Sequence, residues 1–429
     1  MTKMDELITK LCPNGVEYKK TKEIKKESFW LMPATPHYIS EGVPYITSKN
    51  IRDGKINFED CNYISEEDYL SISANRKIEK NDLLVTMIGT IGETAFVEEY
   101  TKFYGQNMYL IRLDEEKINR KFYNYYITSP RIKNTLVSRK NTSSQGYIKA
   151  GNLEELSVPV PPLEVQCEIV HILDNFTLLT AELKAELKVR RKQYKEYINI
   201  LLDAKNLHEF KKIKLKELFD FRNGLSKGKE YFGSGTPFVR YTDVYNNRFL
   251  HIEDIKERVN CTDKELENLK VKKGDVFFTR TSEIAEEVGY SSVMLDNIEN
   301  CVFNGFTIKA TPKTKLLLPE YCAFCFSTDE FRKFVSTRCA FTTRASLTGK
   351  TIGEFELRVP SINKQETIVK QLMSLYKLIN DISEGLPAEI EARKKQYEYY
   401  RNKLLTFKEL ENEWIFKFST CLWFKRCNK

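Results

Sequence analysis

The sequence predicts an α+β chain made by internal duplication, in which two mixed α/β globes alternate with two long helices. Three observations carry this. The stretch from Pro161 to Leu202 holds apolar residues at steps alternating between three and four. A second stretch, from Pro360 to Leu405, repeats it. The segments before each stretch contain short β-type runs in the same order.

The first rod carries Val165, Ile169, Leu173, Phe176, Leu179, Leu183, Leu187, Tyr194, Tyr197 and Leu201 on one seam, with Arg190 bridging its gap. A period near 3.5 belongs to a helix packed along its length against another helix. About 40 residues at about 1.5 Å each give a rod near 60 Å. Pro161 and Pro162 mark its start, because proline fits a first turn and disfavours helix before it.

The partner for that seam is in the same chain. Pro161, Gln166, Ile169, Val170 and Leu173 recur as Pro360, Gln365, Ile368, Val369 and Leu372, each 199 positions on. Arg190, Gln193, Tyr194, Tyr197, Leu201 and Leu202 recur as Arg393, Gln396, Tyr397, Tyr400, Leu404 and Leu405, each 203 positions on. The second copy therefore holds four extra residues, around Pro387 to Ile390. Four residues are close to one turn, which predicts a stutter in a continuous helix. Gly385 and Pro387 are expected to weaken or kink it midway.

The first globe opens with an amphipathic helix over Met1–Leu11, ended by Cys12-Pro13-Asn14-Gly15. Strands are expected at Gly42–Ile51, Asn81–Gly89, Glu93–Val97 and Asn107–Leu113, where β-formers lie between turn residues. A helix over Ile118–Lys140 leads into the polar loop Asn141–Lys149. The second globe repeats the order with Gly235–Val244, Lys272–Ser282 and Phe303–Ala310, a helix over Leu318–Arg338, and the polar loop Cys339–Lys350. Asn412–Lys429 fits neither repeat. Its basic and aromatic character suits a membrane-surface or partner contact, and a loosely packed extension is the plainer reading.

Composition narrows the function classes. A chain of 429 residues with 41% hydrophobic and 30% charged residues is expected to fold as two or three globular domains. No run of about 18 apolar residues predicts a membrane span, and the N-terminus lacks a signal-peptide core, which points to the cytoplasm. The net charge of +8 permits a polyanionic partner without demanding one. Cys322 and Cys325 form a CxxC in an apolar, helical context with no second pair at metal spacing, so packing explains them and no metal ligands are assigned.

Catalytic patterns are missing. The four histidines, His37, His171, His208 and His251, fall in unrelated contexts. Tyr231–Gly235 (YFGSG) precedes a strand and reads as a hairpin turn, not a cofactor loop. Gly349-Lys350-Thr351 resembles the end of a P-loop, but Arg344 stands where its first glycine is needed. No [DN]PP[YF] tetrad for methyl transfer to a base amino group occurs, and no catalytic residue is assigned.

What remains is binding chemistry at loop tips. Thr86–Glu93 and Thr279–Glu286 occupy matching hairpins, and the two polar loops occupy matching places after the helices. Hydroxyls, amides and arginines are the groups that hydrogen-bond base edges and phosphates. The DNA-contact candidates are Thr86, Thr90, Ser143, Ser144, Gln145 and Tyr147 in the first globe. In the second they are Arg280, Thr281, Ser282, Thr342, Thr343, Arg344 and Ser346. Lys49, Arg52, Arg139 and Lys140 are candidates for phosphate positioning.

Taken together, PPLEVQCEIV, RRKQYKEY and the tetrads Thr180–Leu183 and Lys184–Leu187, with their second copies INKQETIV, ARKKQYEYY, Ser383–Leu386 and Pro387–Ile390, resemble the specificity (S) subunit of type I restriction–modification systems. The resemblance covers Val16 to about Leu410. It implies two target-recognition domains, each reading one half of a split double-stranded DNA target. It also implies two helices that form an antiparallel coiled coil, set the half-site spacing and dock two methyltransferase (M) subunits. On this reading the chain is a non-catalytic DNA reader that binds no cofactor. AdoMet-dependent adenine methylation belongs to the M subunits, and ATP- and Mg-dependent translocation and cleavage to the R subunits. The implied domains are 1–160, 161–205 (central helix), 206–359, 360–410 (C-terminal helix) and 411–429 (tail). From the residues alone, a stand-alone DNA-binding regulator, a coiled-coil scaffold and an enzyme of unrecognised type stay open.

Overall fold

The computed structural model describes residues 3–139, 146–207, 209–381 and 385–410. They form two compact units. The first takes the described residues up to Glu182 and those from Glu391 onward; the second is Leu183–Ile390. The boundaries fall inside the rods, so each unit owns one globe and part of both helical stretches.

In the first unit the two-residue alternation of the strands produces a sheet with both faces covered. Its antiparallel order is Lys25–Leu31, Met108–Leu113, Leu83–Thr86, Thr94–Phe96. Leu83, Val85, Tyr109 and Ile111 enter a core with Phe122 and Tyr126 and with Val165, Ile169 and Leu173 of the rod. Leu84 and Leu110 face the other way, into a core with Tyr45, Ile46 and Phe103. That second layer is a small sheet, Asn62–Ile64, Val43–Ile46, Tyr104–Gly105, antiparallel then parallel.

The second unit repeats both layers. The larger sheet runs Phe219–Asn223, Thr307–Pro312, Val276–Thr279, Ser291–Met294, Phe249–Leu250, with only the last pair parallel. The smaller one runs Arg258–Val259, Phe232–Val239, Val302–Phe303.

Each globe closes onto its rod with the same parts. Glu17–Lys20 pairs with Ser157–Val160, and Lys211–Lys214 with Glu356–Val359, both antiparallel. Lys20 and Lys22 grip Glu155 at 2.5 Å each. Lys214 and Lys216 grip Glu354 at 2.8 and 2.7 Å. One turn into the rod, Gln166 is fully buried. Its amide donates to the Pro161 and Lys117 carbonyls (2.7 and 3.3 Å) and accepts from the Asn119 N–H (2.7 Å). Gln365, also fully buried, donates to Pro360 and Leu316 (3.0 and 2.8 Å) and accepts from Leu318 N–H (2.9 Å). In the first unit an early and a late segment also meet: Val16 N–H donates to Lys408 O and Leu410 N–H to Val16 O, each at 2.9 Å. Gly15, at φ +100°, leaves no room there for a side chain.

The central helix is one element, Leu163–Leu202. In the first unit its Phe176 stacks on Tyr400 (5.4 Å, 25°). In the second unit its Tyr194 lies 6.3 Å from Tyr376. Within the first unit Val165, Ile169 and Leu173 share a core with Leu404 and Leu405 while Phe176 meets Tyr400, so the pairing there is antiparallel.

The second rod departs from the expected stutter in a continuous helix. It consists of two helices, Ile362–Asn380 and Leu386–Leu404. A Cβ on Gly385 would stand 2.8 Å from the carbonyl oxygens of Lys377, Leu378 and Asp381, so the chain turns there at a residue with no side chain. Pro387 kinks nothing: it occupies the first turn of the following helix, where its missing N–H has no partner to lose.

Other expectations are corrected in detail. Ile118–Lys140 is two helices, Arg120–Ile127 and Pro130–Ser138, because Pro130 forces Ser129 out of helical geometry. Leu318–Arg338 likewise divides into Pro319–Cys325 and Asp329–Arg338, the second capped by the Thr328 hydroxyl. Tyr241–Asn246 is a helix, not strand, since Asp243 caps the Arg240 N–H at 2.9 Å. The YFGSG segment is a bulge within the strand Phe232–Val239, where Phe232 and Thr236 both face Val259, and not a hairpin turn.

Candidate nucleic-acid interface

At the edge of each globe a hairpin is held from inside by a buried threonine. Thr86 is fully buried; its N–H donates to Glu93 O, its Oγ1 accepts from Glu93 N–H (both 2.9 Å), and Gly92 N–H returns to Thr86 O at 2.9 Å. Thr279, also fully buried, makes the same three bonds with Tyr290 and Gly289 at 2.8 to 2.9 Å. The second hairpin is therefore longer than the expected match of Thr279–Glu286 and ends at Tyr290. This corrects the assignment of Thr86 to DNA contact: its hydroxyl is consumed by the Thr90 and Glu93 carbonyls, out of reach of any ligand.

Two segments converge on the first hairpin. The Thr90 hydroxyl donates to Ser48 O at 3.3 Å, next to Lys49. Ile88 pairs with Tyr147, and Ile148 N–H donates to Met87 O at 3.0 Å. Lys49, Thr90 and Tyr147 thus share one rim. Buried Asn50 shapes the turn below Lys49, accepting from Thr47 N–H (2.9 Å) and donating to the Asn57 and Asp60 carbonyls. Arg52 follows, exposed on the strand pair Ile51–Arg52 and Lys55–Ile56. Arg139 is exposed at the end of its helix and is not bonded to this rim. Lys140, Ser143, Ser144 and Gln145 lie outside the described residues.

The second globe brings all seven of its candidates together. Thr281–Ser282, Ala345–Ser346 and Ala340–Phe341 form a three-stranded sheet, and exposed Thr342, Thr343 and Arg344 join two of its strands. The Arg344 guanidinium stands 3.8 Å from Glu283 on an exposed edge. Two candidates have structural duties. Arg280 Nη1 donates to Gly305 O (3.2 Å), and Ser282 Oγ donates to the Glu287 carboxylate (2.6 Å). Thr281 and Ser346 are half-buried partners in the ladder, leaving Thr342, Thr343 and Arg344 as its exposed side-chain donors.

Some residues of this surface were not legible as contacts. Phe341, on a strand of this small sheet, is 61% exposed, and Ile284, two residues past another of its strands, is 50% exposed. The apolar Phe341 inside a polar loop was the available signal. Tyr241, Tyr245 and Tyr290 form a ladder along the hairpin, with centroids 5.9 and 5.0 Å apart. Burial, together with the nearby Glu287 carboxylate, pushes the Tyr241 and Tyr245 hydroxyls upward, so both stay protonated donors. A projecting two- or three-stranded ribbon with hydroxyls, arginine and an exposed ring has the width and donor set to read base edges in a major groove.

Comparison with known proteins decides the family. The family model for the type I restriction modification DNA specificity domain matches residues 13–189 and again 208–392. The chain belongs to this family. Each type I DNA specificity domain contains one hairpin cluster and the start of one rod, so the chain is a DNA-recognition subunit with two recognition domains. Among its relatives is the specificity subunit of the Escherichia coli type I restriction enzymes EcoR124I/EcoR124II, 30% identical over 315 residues, covering 70% of this chain and 73% of that one. The EcoKI specificity subunit of E. coli K12 is 24% identical over 389 residues, covering 84% and 79%. The HsdS subunit from Thermoanaerobacter tengcongensis shares the specificity-subunit fold at a TM-score of 0.51 and 15% identity, over 92% of this chain and 97% of that one. A chain from a structure describing assembly and conformational transition of the type I R-M system gives a TM-score of 0.62 at 15% identity, over 92% and 98%.

Proposed function

We propose that this chain reads a split DNA sequence for a type I restriction–modification complex, one half-site per globe, and docks the catalytic subunits along its helices. The observation that carries this is the repetition of one hairpin cluster in two domains, each a separate match to the DNA specificity domain. Two readers on one chain bind half-sites at a spacing that the paired helices set, and a duplex turn corresponds to about 34 Å between half-sites.

The catalytic work lies with partners. A target adenine must leave the helix stack before it can be methylated, so a methyltransferase subunit has to be held beside each reader. AdoMet belongs to two methyltransferase subunits, and ATP and Mg to the restriction subunits, all in the cytoplasm. The exposed side chains Leu178, Val189, Ile200 and Tyr399 give the helices apolar surface beyond what their own pairing uses.

Co-purification tests the reading: the tagged chain brings down two copies of a methyltransferase subunit, and methylated adenines mapped in the host genome fall in a bipartite motif. Recovery of the chain alone, with no bipartite methylation lost on its deletion, contradicts it.

A further inference from the structure

The base of the hairpin differs between the globes in a way that leaves charge behind. In the first, Lys133 reaches Glu93 at 2.7 Å. In the second, the matching helix presents Arg332 and the matching strand Tyr290, with the guanidinium 4.3 Å from the ring centroid. The identical threonine bonds to Glu93 and Tyr290 establish that these positions correspond. A ring therefore replaces the carboxylate. Arg332 Nη2 donates to the Glu286 and Val288 carbonyls (2.5 and 2.8 Å), and its Nη1 is buried without a partner.

A second such cation lies nearby. Arg248 packs against the rings of Tyr194, Phe324 and Tyr376 at 5.8, 5.4 and 5.9 Å. Its Nη1 donates to Ala323 O (3.0 Å) and Ser327 Oγ (2.6 Å), while its buried Nε has no partner. Both arginines line a groove of about 660 Å³ in the second unit, to which Arg191, Lys195 and Lys333 add positive charge. Its carboxylates are Glu286 and Asp329, and Asp329 is already taken by Lys195 at 2.8 Å. Among the described residues no carboxylate forms an ion pair with Arg248 or Arg332. A partly desolvated cation without a counter-ion is unfavourable, and two on one wall favour a ligand that supplies the missing negative charge. Guanidinium forks match phosphate oxygens, and Tyr245 and Tyr290 offer ring faces to what the phosphate carries.

We propose that this groove binds a phosphate group, either a backbone phosphate of bound duplex or the phosphate of a free nucleotide. Only the first source rests on the DNA-reading function. The test uses the full chain with inorganic phosphate, ADP and duplex DNA as probes, in the wild type, Arg248→Gln and Tyr290→Glu. The glutamate variant installs the carboxylate that the first globe carries, so the fold is retained and the groove is neutralised from within; Tyr290→Phe is the control that behaves as wild type.

If the source is a nucleotide, ADP raises the melting temperature of the wild type, and its affinity falls at least tenfold in both variants. If the source is DNA, the slope of log affinity against log salt falls by about 1 in both variants, the loss of one phosphate contact. The proposal is overturned if neither ADP nor phosphate binds and the salt slope is unchanged. A wild type that binds DNA without sequence preference instead contradicts the DNA-reading function and leaves the nucleotide arm standing.

Discussion

Where the globes meet their rods, the two halves of the chain use the same atoms. Gln166 and Gln365 each tie a rod to three backbone groups, and Glu155 and Glu354 are each gripped by two lysines. At the hairpins the halves diverge: Lys133 with Glu93 against Arg332 with Tyr290, and a rim of Lys49, Thr90 and Tyr147 against a ribbon tipped by Arg344 and Phe341. One face of the domain fixes it on the scaffold and the other carries the differences. Identity at the first and difference at the second is what two readers of different half-sites on one frame require.

The sharpest way to break the shared half is at the glutamines. Gln166→Leu and Gln365→Leu each strand one buried and two part-buried backbone groups and are expected to destabilise by about 2–4 kcal/mol. Urea unfolding should give similar losses for the two; a large loss at one and none at the other would refute their equivalence. Next comes the divergent half. Arg280→Ala with Arg344→Ala should reduce base discrimination by about 1–3 kcal/mol in one half-site only, read from binding to duplexes mutated in either half. Unchanged half-site binding removes both arginines from the reader.

Smaller effects follow. Gly385→Ala forces a methyl against three carbonyl oxygens and is expected to lower stability by about 1–2 kcal/mol, measured by thermal denaturation. Glu154 marks a difference between the globes, since Gly353 stands at its place in the second. Burial would raise its carboxyl, but hydrogen bonds from Lys25, Tyr109 and Ser28 hold it down to about 2. Its contribution is therefore fully present above the ordinary glutamate range and is lost as pH falls from about 4.5 towards 2. Glu154→Gln should flatten the acid limb of the stability curve by about 1 kcal/mol, and an unchanged limb would exclude that role. Smallest of all, Glu93→Gln should cost about 0.5 kcal/mol, as expected of a half-exposed ion pair.

Much of this frame was legible in the residues. The rods declared themselves by period, and the glutamines by a fixed offset in an apolar context. A weak point at Gly385 was legible too, but a complete break was not, because four inserted residues satisfy the helical phase whether or not the helix runs through them. Thr86 illustrates a different obstacle: a hydroxyl on a hairpin reads alike whether it faces a ligand or holds the turn, and only the backbone decides. The Tyr290 match was hidden because the longer second hairpin displaces it from the apparent register with Glu93.

The meeting of Val16 with Lys408 and Leu410 bears on how the molecule is made. The second unit is continuous in sequence, while the first gathers segments from both sides of it. On the ribosome, the domain begun first is thus finished last. Val165, Ile169 and Leu173 can pack on the first globe early, but the core they share gains Leu404 and Leu405 only after the whole second unit has been made.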